Sequence, residues 1–136
     1  MQILHISAQK SFYILFWIFI YLLKLINSNH NVFIQVFDIL EQESTDIYTS
    51  LLDNDISNPE IQDKILNLNN YWTKKMDTLC VSISRKDLQS VSDYLQYLYA
   101  SIHNQNQEDA VTYSRLLHYN IVGLKELTGI AILNLL

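Results

Sequence analysis

The chain has 136 residues with a formal charge of −5, and only two Gly and one Pro. Sheets and tight hairpins draw on turn residues, so this scarcity argues against them and for long helices in one domain's length of chain. All fourteen acids follow residue 27, against seven of the nine bases, and a body at −7 repels phosphate backbones, which argues against nucleic-acid binding.

The first element is an apolar run. Residues 1–10 read as a short tail, and the stretch SFYILFWIFIYLLKLIN at 11–27 holds no acid and one base. From Phe12 to Leu23 there are twelve uncharged residues. As a helix they rise roughly 18 Å, short of a hydrocarbon layer of about 30 Å. Lys10 and Lys24 bracket the run, and their long arms can extend amines toward headgroups, which lengthens the span to Ala8–Asn27. A soluble helix carries a polar face, whereas this one offers only tyrosine hydroxyls. A cleaved signal needs small residues at the cut, and Leu25-Ile26-Asn27-Ser28-Asn29 has no Ala-x-Ala-like triplet. The expected element is an uncleaved transmembrane anchor built on Phe12, Ile14, Leu15, Phe16, Trp17, Ile18, Phe19, Ile20, Leu22 and Leu23. Lys10 and the α-amine on one side, and acids beyond Lys24 on the other, lean toward a cytoplasmic N-terminus and a body outside the cytoplasm.

Residues 28–136 read as an antiparallel bundle of three or four helices. Phe33, Phe37, Leu40, Ser44, Ile47 and Leu51 step by four and three, a heptad seam with a polar break at Ser44. The seam can run on directly from the anchor. Its apolar members, Phe33, Phe37, Leu40, Ile47 and Leu51, are candidate contacts for a partner chain or a second copy; alternatively the helix packs into the bundle. Asp53 to Glu60 ends this helix, with Asn58 as N-cap and Pro59 in the first turn of the next. Ile61, Ile65, Leu68, Trp72, Met76, Leu79 and Ile83 form the second stripe, with Trp72 as a core anchor. Ser84 caps a third helix in a capping box shortened to Asp87, and Leu88, Val91, Leu95, Leu98 and Ile102 form its stripe. After a polar turn at 103–107 come Ala110, Tyr113, Leu117, Ile121 and Leu124. Thr128-Gly129 reads as a break, followed by an apolar tail from Ile130 to Leu136. Short connections imply antiparallel neighbours.

Chemistry-bearing patterns are sparse. Asp53-Asn54-Asp55-Ile56-Ser57 resembles the start of a calcium loop, but Asn58 stands where Gly is needed and Lys64 where a bidentate Glu is needed. Cys80 is the single cysteine, read as a small buried hydrophobe. Two glycines cannot build a phosphate loop, and no elbow motif surrounds a serine. His103 and His118, with Glu108 and Asp109, could gather around a metal, so a metal-dependent factor is one alternative reading. Another is a soluble helical oligomer with a buried N-terminal helix. Tyr94, Tyr97, Tyr99 and Tyr113 fall at the edge of the bundle, where rings with polar tips pack or meet partners.

From Trp72 onward the chain resembles a bacterial family catalogued as domain of unknown function 4363. The matching residues are Trp72, Ser82-Ile83-Ser84-Arg85-Lys86-Asp87-Leu88, Leu116-Leu117-His118-Tyr119 and the closing Ile130-Ala131-Ile132-Leu133-Asn134-Leu135-Leu136. At the start of the third helix the family tends to carry a His followed by an acid. Here Arg85 takes the His place and Asp87 the acidic one. The resemblance implies a membrane helix ahead of a helical body and no known reaction. The expectation is a non-enzymatic structural or adaptor component at the cell envelope, single-pass, with no cofactor.

Overall fold

A computed structural model describes the backbone of residues 2–81 and 83–133 and the side chains of 9–81 and 83–129. It contains four helices: α1 Gln2–Asp53, α2 Pro59–Leu79, α3 Arg85–His103 and α4 Gln107–Leu133. No strand occurs among the described residues. The chain divides into two compact units, 1–33 and 34–136. The first is a single helical stretch. The second is a four-helix body in which the later part of α1 takes part.

Four cross-contacts fix the body's topology. Lys64 Nζ lies 3.3 Å from Ser50 Oγ, joining α1 to α2. Trp72 Nε1 donates to Ser92 Oγ at 2.8 Å, joining α2 to α3. Ser90 Oγ donates to Asn120 Oδ1 at 2.9 Å, joining α3 to α4. Lys125 Nζ pairs with Asp38 at 2.8 Å, joining α4 back to α1. Within the body, Asp38, Lys64, Ser90 and Ser92 lie in the first half of their helical stretches and Ser50, Trp72 and Lys125 in the second half, as the antiparallel arrangement implied by short connections requires, and Lys125 closes the ring from α4 back to α1.

Most residues of the stripes read from spacing are core, with Met76 and Tyr113 only half-buried. Ile61, Ile65, Leu68, Trp72 and Leu79 of α2 are buried, as are Leu88, Val91, Leu95, Leu98 and Ile102 of α3 and Ala110, Leu117, Ile121 and Leu124 of α4. Trp72 is 2% exposed, and its indole N–H is satisfied by Ser92, so a large ring is buried without a lost hydrogen bond. Ser92 passes its own proton toward Met76 Sδ at 3.7 Å.

The helix ends follow local chemistry. Asn58 accepts from Glu60 N at 2.9 Å ahead of Pro59, whose missing N–H costs nothing in a first turn. Ser84 Oγ accepts from Asp87 N at 3.2 Å and donates to Asp87 Oδ2 at 2.6 Å, so the shortened box closes on the hydroxyl. Asn106 caps α4 in the same manner, accepting from Asp109 N at 3.1 Å. Between α3 and α4, Gln105 has φ 52°, with Asn106 N bonded to Ser101 O at 2.9 Å and Gln105 N to Ile102 O at 3.0 Å. That is a Schellman motif with Gln in the left-handed position usually given to Gly.

Three sequence expectations are corrected. Thr128-Gly129 is no break: α4 continues to Leu133. Thr128 Oγ1 bonds back to Leu124 O at 2.6 Å, and no glycine has positive φ, so both residues sit within the helix. The second stripe stops at Leu79, because Cys80 caps α2 and Ile83 lies half-buried in the turn, its N–H on Leu79 O. Cys80 itself is half-buried. The apolar tail Ile130–Leu136 lies outside the described side chains, and Ser82 lies outside the described residues.

On this packing, Trp72→Ala should cost about 3–5 kcal/mol in chemical denaturation of the detergent-solubilised chain, as for other large-to-small changes in a core. Gln105→Gly should instead stabilise by about 1 kcal/mol, because it removes a left-handed side chain while keeping both turn hydrogen bonds; a loss of stability would show that the Gln side chain holds the turn.

Candidate functional site

The feature that sets this chain apart is the surface of the first unit. Phe12, Tyr13, Ile14, Leu15, Phe16, Trp17, Ile18, Phe19, Tyr21, Leu22, Leu23, Leu25 and Ile26 are all exposed, with Trp17 at 67%. Ile20 is half-buried. Large apolar side chains therefore point outward around the whole circumference of the helix. Among the described residues this is one helix long and apolar enough to cross a membrane. Lys10 and Lys24, also exposed, stand at its two ends. Monomeric soluble proteins rarely expose contiguous apolar patches beyond a few hundred Å². This cylinder needs an apolar cover.

The second candidate surface, the heptad seam, is already used. Phe33, Phe37, Leu40, Ile47 and Leu51 are buried, as is the polar break Ser44. The expectation that these residues offer a face to a partner is therefore corrected. Helix α1 lies in the ring between α2 and α4.

What Ser44 does inside that seam is specific. Its hydroxyl donates to Glu41 O at 3.0 Å, and Thr45 donates to the same carbonyl at 2.8 Å. Both hydroxyl oxygens also lie 3.3 Å from His118 Nδ1 on α4. Ser44 is fully buried, so the contact ties α1 to α4 inside the body.

Two further ties hold α1 to α4. Lys125 reaches Asp38 and also Glu41, and its side chain is about a third exposed. The Asp38 carboxylate, then that of Glu41, holds the ammonium above the ordinary lysine range. At the other end, Gln107 uses one amide three ways. Its Nε2 donates to Leu51 O at 2.7 Å and Asn54 O at 3.1 Å, and its Oε1 accepts from Ile56 N at 2.7 Å. Leu51 O is one of the carbonyls left without a partner at the end of a helix. Gln107 thus caps α1 and pins the loop that buries Ile56.

The residues of the metal reading are not gathered into one group in this structure. No group of three or more His, Cys, Asp or Glu among the described residues could hold an ion. His103 stacks on Tyr99 with centroids 5.8 Å apart, while His118 faces Ser44. In the acidic turn, Asp55 spends an oxygen on Ser57 N at 2.8 Å, and that hydrogen bond holds its carboxyl below the usual range. Tyr97 and Tyr99 are exposed, Tyr94 and Tyr113 half-buried, and Tyr97 packs on Tyr113 with centroids 5.2 Å apart. Two grooves are lined by described residues. One of about 280 Å³ is lined by Ile39, Glu43, Asn67, Leu68 and Tyr71, and burial pushes the Tyr71 phenol up. The other, about 370 Å³, includes Trp72, Met76, Asp77 and Ser92. Neither is lined by a histidine or the cysteine.

Comparison with known proteins gives no match among family models, curated proteins or solved structures.

The ties predict distinct behaviour. Gln107→Ala should cost about 1–3 kcal/mol, because it strands a buried carbonyl and the Ile56 N–H, and amides 54–58 should exchange faster with deuterium. Lys125→Met should lower the melting temperature modestly at neutral pH, since a partly exposed pair contributes about 1 kcal/mol or less. A raised pKa means the contribution is full below the ordinary lysine value of 10.5 and fades as pH rises through the folded one. The gap between wild type and variant should therefore close in strong alkali, and a gap unchanged there would assign it to packing of the lysine stem.

Proposed function

We propose that this chain is a single-pass membrane protein whose four-helix body serves as a structural or adaptor component at the cell envelope. The observation that carries the reading is the outward-facing apolar surface from Phe12 to Ile26, bracketed by Lys10 and Lys24. A lipid bilayer covers such a surface on all sides at once, and a helix satisfies its own backbone hydrogen bonds there. The resemblance to domain of unknown function 4363 is consistent with this plan of a membrane helix ahead of a helical body.

The body's features favour a scaffold over an enzyme. Its buried polar groups among the described residues, Ser44, Ser101, Ser114 and Thr128, donate to backbone carbonyls of their own helices. Its cross-helix bonds staple helices together. Its partner, if a protein, meets an outer surface that is acidic overall and studded with exposed tyrosines such as Tyr97, Tyr99 and Tyr119. In orientation, Lys10 and the α-amine favour a cytoplasmic N-terminus, with the body on the other side.

The test is extraction at alkaline pH. The wild-type chain should stay with the membrane pellet. Replacing Ile18 and Phe19 with Asp should release it, because each carboxylate at mid-bilayer costs about 2.5–3.5 kcal/mol on insertion scales. Recovery of the wild type as a soluble oligomer would overturn the anchor. Protease should reach a C-terminal tag from outside intact cells whose outer layers have been removed, and cleavage only after lysis would reverse the orientation.

A further inference from the structure

The body's charge is unevenly distributed along its length. Because the helices alternate in direction, one end carries the first residues of the body, from Ile34, together with the α2–α3 turn at 80–84 and the late part of α4. Lys74, Lys75, Arg85, Lys86 and Lys125 lie in the third nearest that end, with Asp38, Glu41, Asp77, Asp87 and Glu126. That third is neutral. The remaining length holds Lys64 and Arg115 against nine acids, so the whole excess of negative charge sits toward the other end.

Around the α2–α3 turn the balance is positive. Asp77 is paired with Arg85 at 3.3 Å, and Asp87 is engaged with Ser84 as a helix cap. Lys75 lies over the Tyr71 ring, 5.8 Å from its centroid. Lys74 and Lys86 are exposed and enter no ion pair among the described residues. At the tip stands Val81, 76% exposed, more than any other large apolar side chain described. Its N–H lies 3.4 Å from Thr78 O, and Ile83 N donates to Leu79 O at 2.9 Å.

We propose that the α2–α3 turn is a lipid-surface contact, in which Val81 enters the headgroup layer of an anionic bilayer between Lys74, Lys75, Arg85 and Lys86. The proposal rests on the membrane reading of the first unit. The body begins at residue 34, and the α2–α3 turn lies at the same end of the body as that first residue. An apolar tip among bases matches a surface with apolar depth and negative headgroups, and a base brought to such a surface strengthens the contact roughly five-fold. The acidic far end is repelled by the same leaflet, and both forces turn the body the same way.

The experiment uses the full chain in a Cys80→Ser background, with Val81→Cys carrying a nitroxide label. Glu108→Cys, at the acidic end, is the control position. The protein is reconstituted into vesicles of phosphatidylglycerol and phosphatidylcholine, or of phosphatidylcholine alone. Collision with a water-soluble nickel complex is measured after flotation. In anionic vesicles the label at 81 should be shielded several-fold relative to 108, and shielding should fall in phosphatidylcholine alone and in the Lys74→Gln, Lys86→Gln variant. Protein that floats with the vesicles but exposes 81 as fully as 108 overturns the contact and leaves the anchor standing. Protein that does not float overturns the anchor, and the contact with it. Shielding that is the same in both lipids, or that rises with protein density, overturns the contact by assigning it to another cause or to a second copy.

Discussion

One helix in this chain carries two different surfaces, and the rest of the structure depends on that constraint. Through residues 12–26 every large apolar side chain of α1 but one is exposed. From Phe33 on, the apolar residues narrow to a stripe, and the stripe is buried while Asp38, Gln42, Asp46 and their neighbours turn outward. A helix that is apolar all round asks for lipid or a protein interior, and a helix with one stripe asks for partners on one side. Both demands are written in one continuous element, Gln2–Asp53.

The body answers the second demand with modest means. Its core is largely Leu and Ile with one Trp, and its four helices close a ring so that α1 has a neighbour on each side. What keeps α1 in register is a set of polar ties at separate heights: Lys125 with Asp38 and Glu41, His118 with Ser44 and Thr45, and Gln107 with the end of the helix. Leucine stripes alone tolerate sliding, and a buried polar position penalises it. Ser44 is thus best understood as a lock within the chain.

Much of this was legible from residue spacing. The buried stripes of all four helices, the Asn58-Pro59 start of α2 and the Ser84 cap of α3 rest on periodicity and on side chains acting within three residues of themselves. What spacing could not reveal lies farther apart. Gln107 reaches across more than fifty residues to Leu51, and nothing distinguishes it in the sequence from nearby Gln105. Ser44 announced a polar break, but not that His118 would fill it. Thr128-Gly129 misled because Gly was weighed as a helix end, whereas within α4 it keeps ordinary helical angles and the hydroxyl of Thr128 returns to the backbone of its own helix. The heptad seam was visible as a seam; whether it closed within the chain or between chains depends on how many neighbours are available, which is a property of the tertiary ring.

The account's central claim is that α1 changes surroundings along its length, from lipid to a protein core. A cysteine scan of residues 9–53 in the Cys80→Ser background, reacted with a membrane-impermeant maleimide in intact membranes, tests it most directly. The account predicts an unbroken unreactive window over residues 12–23, then a reactivity that repeats every three to four residues from about residue 33, with 37, 40, 44, 47 and 51 protected. Helical periodicity already present between 12 and 23, with one reactive face, would contradict it and place that stretch at a protein surface in water.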